Sequence, residues 1–382
     1  FYVMTEPEKM RFPYMESIIA SLSFCDEVVI VLGRSEEISE RKIENLKRFF
    51  EKDRNKHCAT TFHHPSLKRE IKVIKTNAWP EKDWHYDTMK EHLQLGLDSC
   101  TGDLCIKMDA DHVFRDQHAD LIRKVMTDIP STTHWTSINM VHYYTHRQCS
   151  FRSYVVESGL TNCYIINKKK LAKEGLTCKI LNDTGSHKPY FFDNDSQPFE
   201  PVLAVIGDVA RDFGLAAQHA IREVSDYKSA SLRMQTYVHQ VCPINYSYTF
   251  DTKGTIAKYW ARWHSAFCKK GQKTPAFDVA DPQKSLNHFV RYHWDKKKPK
   301  TFSEKTKSIP EGYTGKIVRD PDTGLRKWFT EEPIILNDTG EYMFPLTSHP
   351  SVMQPRLMTI DSTMWGYDNF EDHWREIENG PV

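Results

Sequence analysis

The segment Gly102–Phe114, GDLCIKMDADHVF, constrains this chain more than any other. Its run Leu104–Met108 has the length and residue types of a buried strand. A helical pattern and a Gly-Asp turn precede it, and Asp109 and Asp111 follow at its C-terminal end. In open α/β sheets, ligands bind beyond the carboxyl ends of the strands. Two carboxylates placed there are hard oxygen donors that suit Mg2+ or Mn2+, and such a cation can hold a diphosphate.

Asp-x-Asp also occurs at Asp193/Asp195 and at Asp320/Asp322. Aspartate favours turns, so the default reading of each is a solvated turn. Asp320-Pro-Asp322-Thr-Gly324 fits a hairpin turn between Lys316–Arg319 and Leu325–Phe329. Only the first pair follows a strand pattern with a helix before it, and it alone is read as a binding site.

The residues upstream supply the rest of a sheet. Phe1–Met4 reads as a first strand and Thr5–Arg11 as a polar loop. Pro13 suits the first turn of a helix, on which Met15, Ile18, Ile19 and Leu22 make one apolar face. Glu27–Leu32 is a second buried strand, closed by Gly33. Ser39–Lys52 is helical, Glu70–Ile74 is a third strand, and Thr88–Asp98 is a helix with Met89, Leu93 and Leu97 in register. This alternation predicts a parallel sheet with right-handed crossovers over roughly residues 1–115.

Farther on, Leu121–Met126 is helical and His134–Tyr143 is an aromatic-rich edge or binding-site strand. Cys163–Ile166 is a strand followed by the helix Lys168–Glu174. Asn182–Glu200, rich in Asp, Asn, Gly and Pro, reads as a long loop. Val202–Ile206 is a strand ending at Gly207-Asp208, and residues 211–240 and Lys253–Cys268 are helical. From Pro299 onward periodicity is weak, as in an extension that wraps a core.

Composition narrows the function classes. The 382 residues carry a formal net charge of +1, so no global field recruits nucleic acid or membrane. Basic runs are local: Lys168–Lys170, Lys269–Lys270 and Lys296–Lys300. The nine cysteines are scattered without a Cys-x-x-Cys pair, which argues against a zinc cage and for a reducing compartment. No apolar run approaches membrane-spanning length and no signal peptide is visible, so a cytoplasmic protein is expected. No Gly-x-Gly-x-x-Gly or Walker-type loop is present. A nucleotidyltransferase wants a glycine-rich loop after the first strand, and TEPEKMR has no glycine. An aspartate-nucleophile phosphatase needs its Asp pair after the first strand, and here the pair follows the fourth. A non-catalytic binding module of the same fold stays open.

Five blocks carry a family resemblance: RFPYMESIIASL (Arg11–Leu22), CDEVVIVLGRSEE (Cys25–Glu37), HLQLGLDSCTGDLCIKMDADHVF (His92–Phe114), and the pair Ile244–Phe267 and Thr347–Leu357. The first three resemble inverting family-two glycosyltransferases of the GT-A fold. The last pair resembles C-terminal segments of phage and microbial members. The resemblance implies an α/β fold: a Rossmann-like, mixed, mostly parallel sheet flanked by helices, with a C-terminal extension. Residues 1–268 would be the catalytic domain for nucleotide sugar and acceptor, and 269–382 the extension on the acceptor side.

The implied reaction moves a sugar from a nucleotide-diphosphate donor to a hydroxyl acceptor with Mn2+ or Mg2+. Asp111 would bind the metal, and Asp109 the metal or the ribose. Thr5 and Glu6 would line the base pocket, with Ser35 and Lys90 near the base or phosphates. The general base should follow the fourth strand: Asp208 first, then Asp195 and Glu200, with Asp193 and Glu157 also eligible. The acceptor would be a glycan or lipid-linked sugar, or a modified base in phage-like DNA. The latter is prompted by the two later lysine runs and by Trp260, Trp263 and Trp294.

The chain departs from the family at several positions. Leu32 stands where the second strand usually ends in Asp, and Glu37 replaces a later Asp. Leu93-Gln94 replaces an Arg-Asn pair, which leaves Lys90 to face phosphate. Asn245 stands at a family histidine, so His239, His264 or His349 is eligible as a further metal ligand.

Overall fold

The computed structural model describes residues 1–53, 69–76, 78–79, 86–129, 131–138, 141–143, 149–150, 163–183, 186–205, 243–247, 249–250, 335–336, 342–343, 349–361 and 364. The chain divides into two compact units, Phe1–Asn139 with Val156–Val209, and Met140–Val155 with Ala210–Val382.

The first unit begins with β1 (Tyr2–Thr5), α1 (Tyr14–Leu22), β2 (Glu27–Arg34), α2 (Glu37–Asp53), β3 (Glu70–Lys75), α3 (Tyr86–Ser99) and β4 (Leu104–Lys107). These three helices and four strands match the sequence expectation to within about two residues at most ends. After them come β5 (His112–Val113), α4 (Ala119–Thr127) and β6 (Trp135–Ser137). Two strands of the second unit, β7 (Val141–Tyr143) and β8 (Cys149–Ser150), interrupt the order. The first unit resumes with β9 (Tyr164–Asn167), α5 (Lys168–Glu174), β10 (Thr177–Asp183), β11 (Ser186–Phe192), β12 (Pro198–Phe199) and β13 (Leu203–Val205).

β1, β2 and β3 pair in parallel. β9 runs antiparallel to both β4 and β6, and β13 runs parallel to β6. A parallel bridge between Tyr2 and Met108 joins the two groups, with the Met108 N–H donating to the Phe1 carbonyl at 3.0 Å. The resulting order is β3-β2-β1-β4-β9-β6-β13, a mixed and mostly parallel sheet in which only β9 is reversed among the described strands. Val28–Leu32 of β2 are buried on both sides, which is why that strand reads as an unbroken apolar run.

Four expectations are corrected. The inward face of α1 holds Tyr14, Ser17, Ile18 and Ser21, while Met15 and Ile19 are only half-buried. The serines turn inward because the buried Tyr2 hydroxyl pairs with Ser17 Oγ at 2.9 Å and Ser21 Oγ at 2.7 Å. An apolar-periodicity reading cannot anticipate a hydrogen-bonded inner face.

β2 does not close at Gly33 but runs to Arg34. The edge of Trp79 packs over Gly33, and a Cβ there would stand 2.8 Å from the Trp79 ring. His134–Tyr143 is not one strand but two, β6 and β7, with Ile138 between them.

Most of the expected loop 182–200 is instead a hairpin. β10 and β11 pair from Thr177↔Phe192 to Asp183↔Ser186, and Ile180 and Phe191 pack into the core beside Leu93 and Leu97 of α3. Pro189 is tolerated because it faces Ile180, whose N–H donates instead to Gln94 Oε1 at 2.8 Å. The proline therefore removes no ladder bond.

The lysine run Lys168–Lys170 is absorbed by the fold. Lys168 Nζ donates to the Leu97 and Cys100 carbonyls at the end of α3, at 3.2 and 2.6 Å. Lys169 and Lys170 pair with Asp103 and Glu174.

In the second unit, β14 (Ile244–Asn245) lies parallel to β7, and β8 pairs antiparallel with β7. Ile335–Leu336 and Tyr342–Met343 form an antiparallel pair. Tyr246 hydroxyl meets the buried His349 at Nδ1, 2.8 Å away, and Arg356 stacks over Phe250. Segments about a hundred residues apart in sequence, which carried the C-terminal resemblance, therefore touch. No described helix is long and apolar enough to cross a membrane.

Candidate metal centre

In the sheet, β1 leads to β2 and β3 on one side, and β4 lies on the other. The chain therefore changes winding direction between β1 and β4, and crevices at such switch points are where α/β sheets bind ligands. Asp109 and Asp111 stand just beyond the end of β4, where Met108 bridges to Tyr2 of β1.

The turn Asp109–His112 closes through its backbone, with the His112 N–H donating to the Asp109 carbonyl at 3.1 Å. One ligand atom each from Asp109, Asp111 and His112 lie within 4.8 Å of one another. His112 Nε2 is 3.8 Å from Asp109 Oδ2 and 3.9 Å from Asp111 Oδ1. Two carboxylates and one imidazole are a donor set suited to Mn2+, and the oxygens also suit Mg2+. Asp111 and His112 are buried.

Two further residues hold this turn. Ser17 Oγ of α1 donates to the His112 carbonyl, so the serine-lined helix face that grips Tyr2 also anchors the candidate site. Lys107, whose side chain is only 4% exposed, places Nζ 2.6 Å from Asp109 Oδ1. Burial pushes the Asp109 carboxyl up, but Lys107 and the imidazoles of His112 and His187 outweigh it and hold its pKa below the ordinary carboxylate value. The Tyr164 hydroxyl, opposite Lys107 on β9, is buried without a hydrogen-bond partner among the described residues. Burial first, then nearby Cys178, Asp109 and Cys163, push its pKa well above the usual phenol value.

Sequence reading passed over Lys107, His112 and Ser17. His112 had a signal, since it directly follows the Asp pair. Lys107 was counted inside an apolar run, where a buried lysine beside a carboxylate two residues on is the cue to a pair.

The other expected site residues are placed as follows. Thr5 ends β1 at a register shift, and Glu6 takes a left-handed φ of 43°. The Glu6 carboxylate pairs with Arg34 at 3.3 Å and Lys9 at 3.2 Å. Ser35 Oγ donates to Glu40, which also pairs with Lys75. Lys90 pairs with Asp87 at 3.4 Å within α3. Asp195 and Glu200 are exposed near the β11–β12 turn, and neither makes an ion pair among the described residues. Asp208, Glu157, His239, His264 and the lysine runs 269–270 and 296–300 lie outside the described residues, as do Trp260, Trp263 and Trp294. Leu32 is buried in the core, and Asn245 Oδ1 accepts from the Ser247 N–H at 2.8 Å.

No family model and no curated protein matches this sequence. Among solved structures, the chain is similar to S. aureus TarS 1-349, at 11% identity, 90% coverage of this chain, 98% of that one and a TM-score of 0.30. It is also similar to the mannosyltransferase PcManGT from Pyrobaculum calidifontis in complex with GDP-Man and Mn2+, at 11% identity, 81% and 75% coverage and a TM-score of 0.28. Mouse xyloside xylosyltransferase 1 aligns at 13% identity over 45% of this chain and 67% of that one, with a TM-score of 0.24. Overlaps this loose add nothing to the fold, which rests on the chain's own strand order and direction.

Proposed function

We propose that this chain is a metal-dependent glycosyltransferase of the GT-A type, moving a sugar from a nucleotide-diphosphate donor to a hydroxyl acceptor with inversion. One observation carries the reading: Asp109, Asp111 and His112 converge beyond the end of β4, at the winding switch of a mostly parallel sheet. The family resemblance of Arg11–Leu22, Cys25–Glu37 and His92–Phe114 supports it.

Asp111 and His112, with Asp109, would hold Mn2+ or Mg2+. The bound cation would supply Lewis-acid neutralisation of the departing nucleoside diphosphate. Thr5 and Glu6 line the base side of the crevice in this reading, with the Arg34 partner of Glu6 holding that carboxylate in place. Ser35 and Lys90 reach the base or phosphates. Asp208 is our first choice for the general base that removes the acceptor proton, followed by Asp195 and Glu200. Residues 1–268 form the catalytic domain and 269–382 an extension on the acceptor side.

The acceptor in this reading is a glycan or lipid-linked sugar. A modified base in DNA is the second option, based on the lysine runs 269–270 and 296–300. DNA binding that falls steeply with salt would favour it, and binding that is absent or indifferent to salt would remove it.

The decisive test is release of nucleoside diphosphate from a panel of nucleotide sugars with Mn2+, alongside thermal-shift measurements. We expect release with at least one donor, lost in excess EDTA. A pure binding module would show a thermal shift with no release. Release undiminished by EDTA would overturn the metal role.

A further inference from the structure

We propose that Lys107 competes with the divalent cation for Asp109 and so weakens cation binding at the Asp109–Asp111–His112 turn. This inference rests on the metal reading above. Lys107 is the last residue of β4, and its side chain is almost wholly shielded from water. Its ammonium lies 2.6 Å from Asp109 Oδ1, while Asp109 Oδ2 points to the His112 side, 3.8 Å from Nε2. The strand fixes the lysine stem, and Tyr164 stands opposite it on β9.

A cation on an Asp109 oxygen sits within about 2–2.6 Å of that oxygen, and hence within a few ångströms of the ammonium. Two positive charges that close repel strongly in a partly desolvated site. Asp109 is then shared between an internal cation and an external one. Asp111 and His112 hold the external ion, while the Lys107–Asp109 pair adds almost no net charge to its surroundings.

The test measures Mn2+ binding to the full chain without nucleotide, by the loss of the free-ion electron paramagnetic resonance signal. Lys107→Met should tighten binding by on the order of tenfold, because a nearby positive charge is removed. Breaking the pair on one side leaves Asp109 without its cation, and this variant is open to misfolding. The double variant Lys107→Met with Asp109→Asn removes both charges and avoids that penalty. It should bind Mn2+ within about threefold of wild type, the margin expected if the pair acts as a neutral unit.

Unchanged or weaker binding by a folded Lys107→Met overturns the proposal. So does a loss of about tenfold or more in the double variant, since Asp109 would then be a full ligand. Asp111→Asn separates this from the broader reading. If wild type binds Mn2+ and Asp111→Asn abolishes it while Lys107→Met changes nothing, only the competition fails. If neither wild type nor Lys107→Met binds Mn2+, both ideas fall.

Discussion

The chain presents the same three-residue pattern in two described turns, and the fold treats them in opposite ways. At Asp193-Asn194-Asp195, the first carboxylate closes the turn: Asp193 Oδ1 accepts from the Asp195 N–H at 3.0 Å and from the Gln197 N–H at 2.8 Å. The chain then passes through Ser196 at a φ of 60°. The Asp193 carboxylate is consumed by the backbone, and Asp195 is left in solvent. Both turns carry the same backbone bond, Ser196 N–H to the Asp193 carbonyl at 3.0 Å and His112 N–H to the Asp109 carbonyl at 3.1 Å, but at Asp109-Ala110-Asp111 the first carboxylate faces Lys107 and His112 instead of its own turn. The first carboxylate of an Asp-x-Asp pattern is open to an outside cation only where the N–H groups of its own turn do not occupy it.

The largest effect should separate the two turns in turnover. Asp111→Asn should lower sugar transfer by about a hundredfold or more, as expected for losing charge stabilisation in the transition state. Its melt should stay near wild type. Asp193→Asn should leave turnover per folded molecule unchanged, and equal losses in steady-state assays would end the contrast.

His112→Ala sharpens the comparison, because the second turn has no imidazole. Its Mn2+ affinity, followed by calorimetry, should fall by at least about tenfold, and an unchanged affinity would exclude the imidazole as a ligand.

Acid titration tests the Asp109 environment. A depressed native pKa means that its stabilisation is present above the unfolded value, about 4, and disappears as pH falls through the native value. Asp109→Asn should therefore melt well below wild type at neutral pH. The gap should narrow in melts near about pH 3, as the unfolded-state carboxylate takes up its proton. A constant gap would argue against the Lys107 pair.

Two smaller effects concern the supports of each turn. Ser17→Ala removes the donor to the His112 carbonyl and bonds to Tyr2, and should cost about 1–2 kcal/mol in chemical denaturation. It should also loosen Mn2+ binding, which a purely structural serine would not do. Asp193→Asn weakens the acceptor of two N–H groups and should cost at most about 1 kcal/mol.

Much of the first unit was legible because its elements announce themselves locally. Val28–Leu32 is apolar throughout, since both faces of β2 are covered, and α5 is read correctly from Lys168 to Glu174. The Asp109/Asp111 pair stood out because a strand leads into it. The β10–β11 hairpin did not, because its Pro189 and polar residues resemble a loop. Only packing on α3, through Ile180, Phe191 and Gln94, makes it a sheet. The inward serines of α1 were hidden for a similar reason, since their partner Tyr2 is fifteen residues away or more.

Sequence order alone settled the alternation of strands and helices and the delivery of two aspartates to a strand end, because periodicity and turn chemistry act over neighbouring residues. The tertiary structure decided which side chains join them. Ser17 reaches His112 only when α1 packs against β5, and β1 and β4 become neighbours through the Tyr2–Met108 bridge and the Phe1–Ile106 bond. Even Lys107, two residues from Asp109, acquires its role from burial, which turns an ordinary strand lysine into a fixed charge beside the candidate metal site.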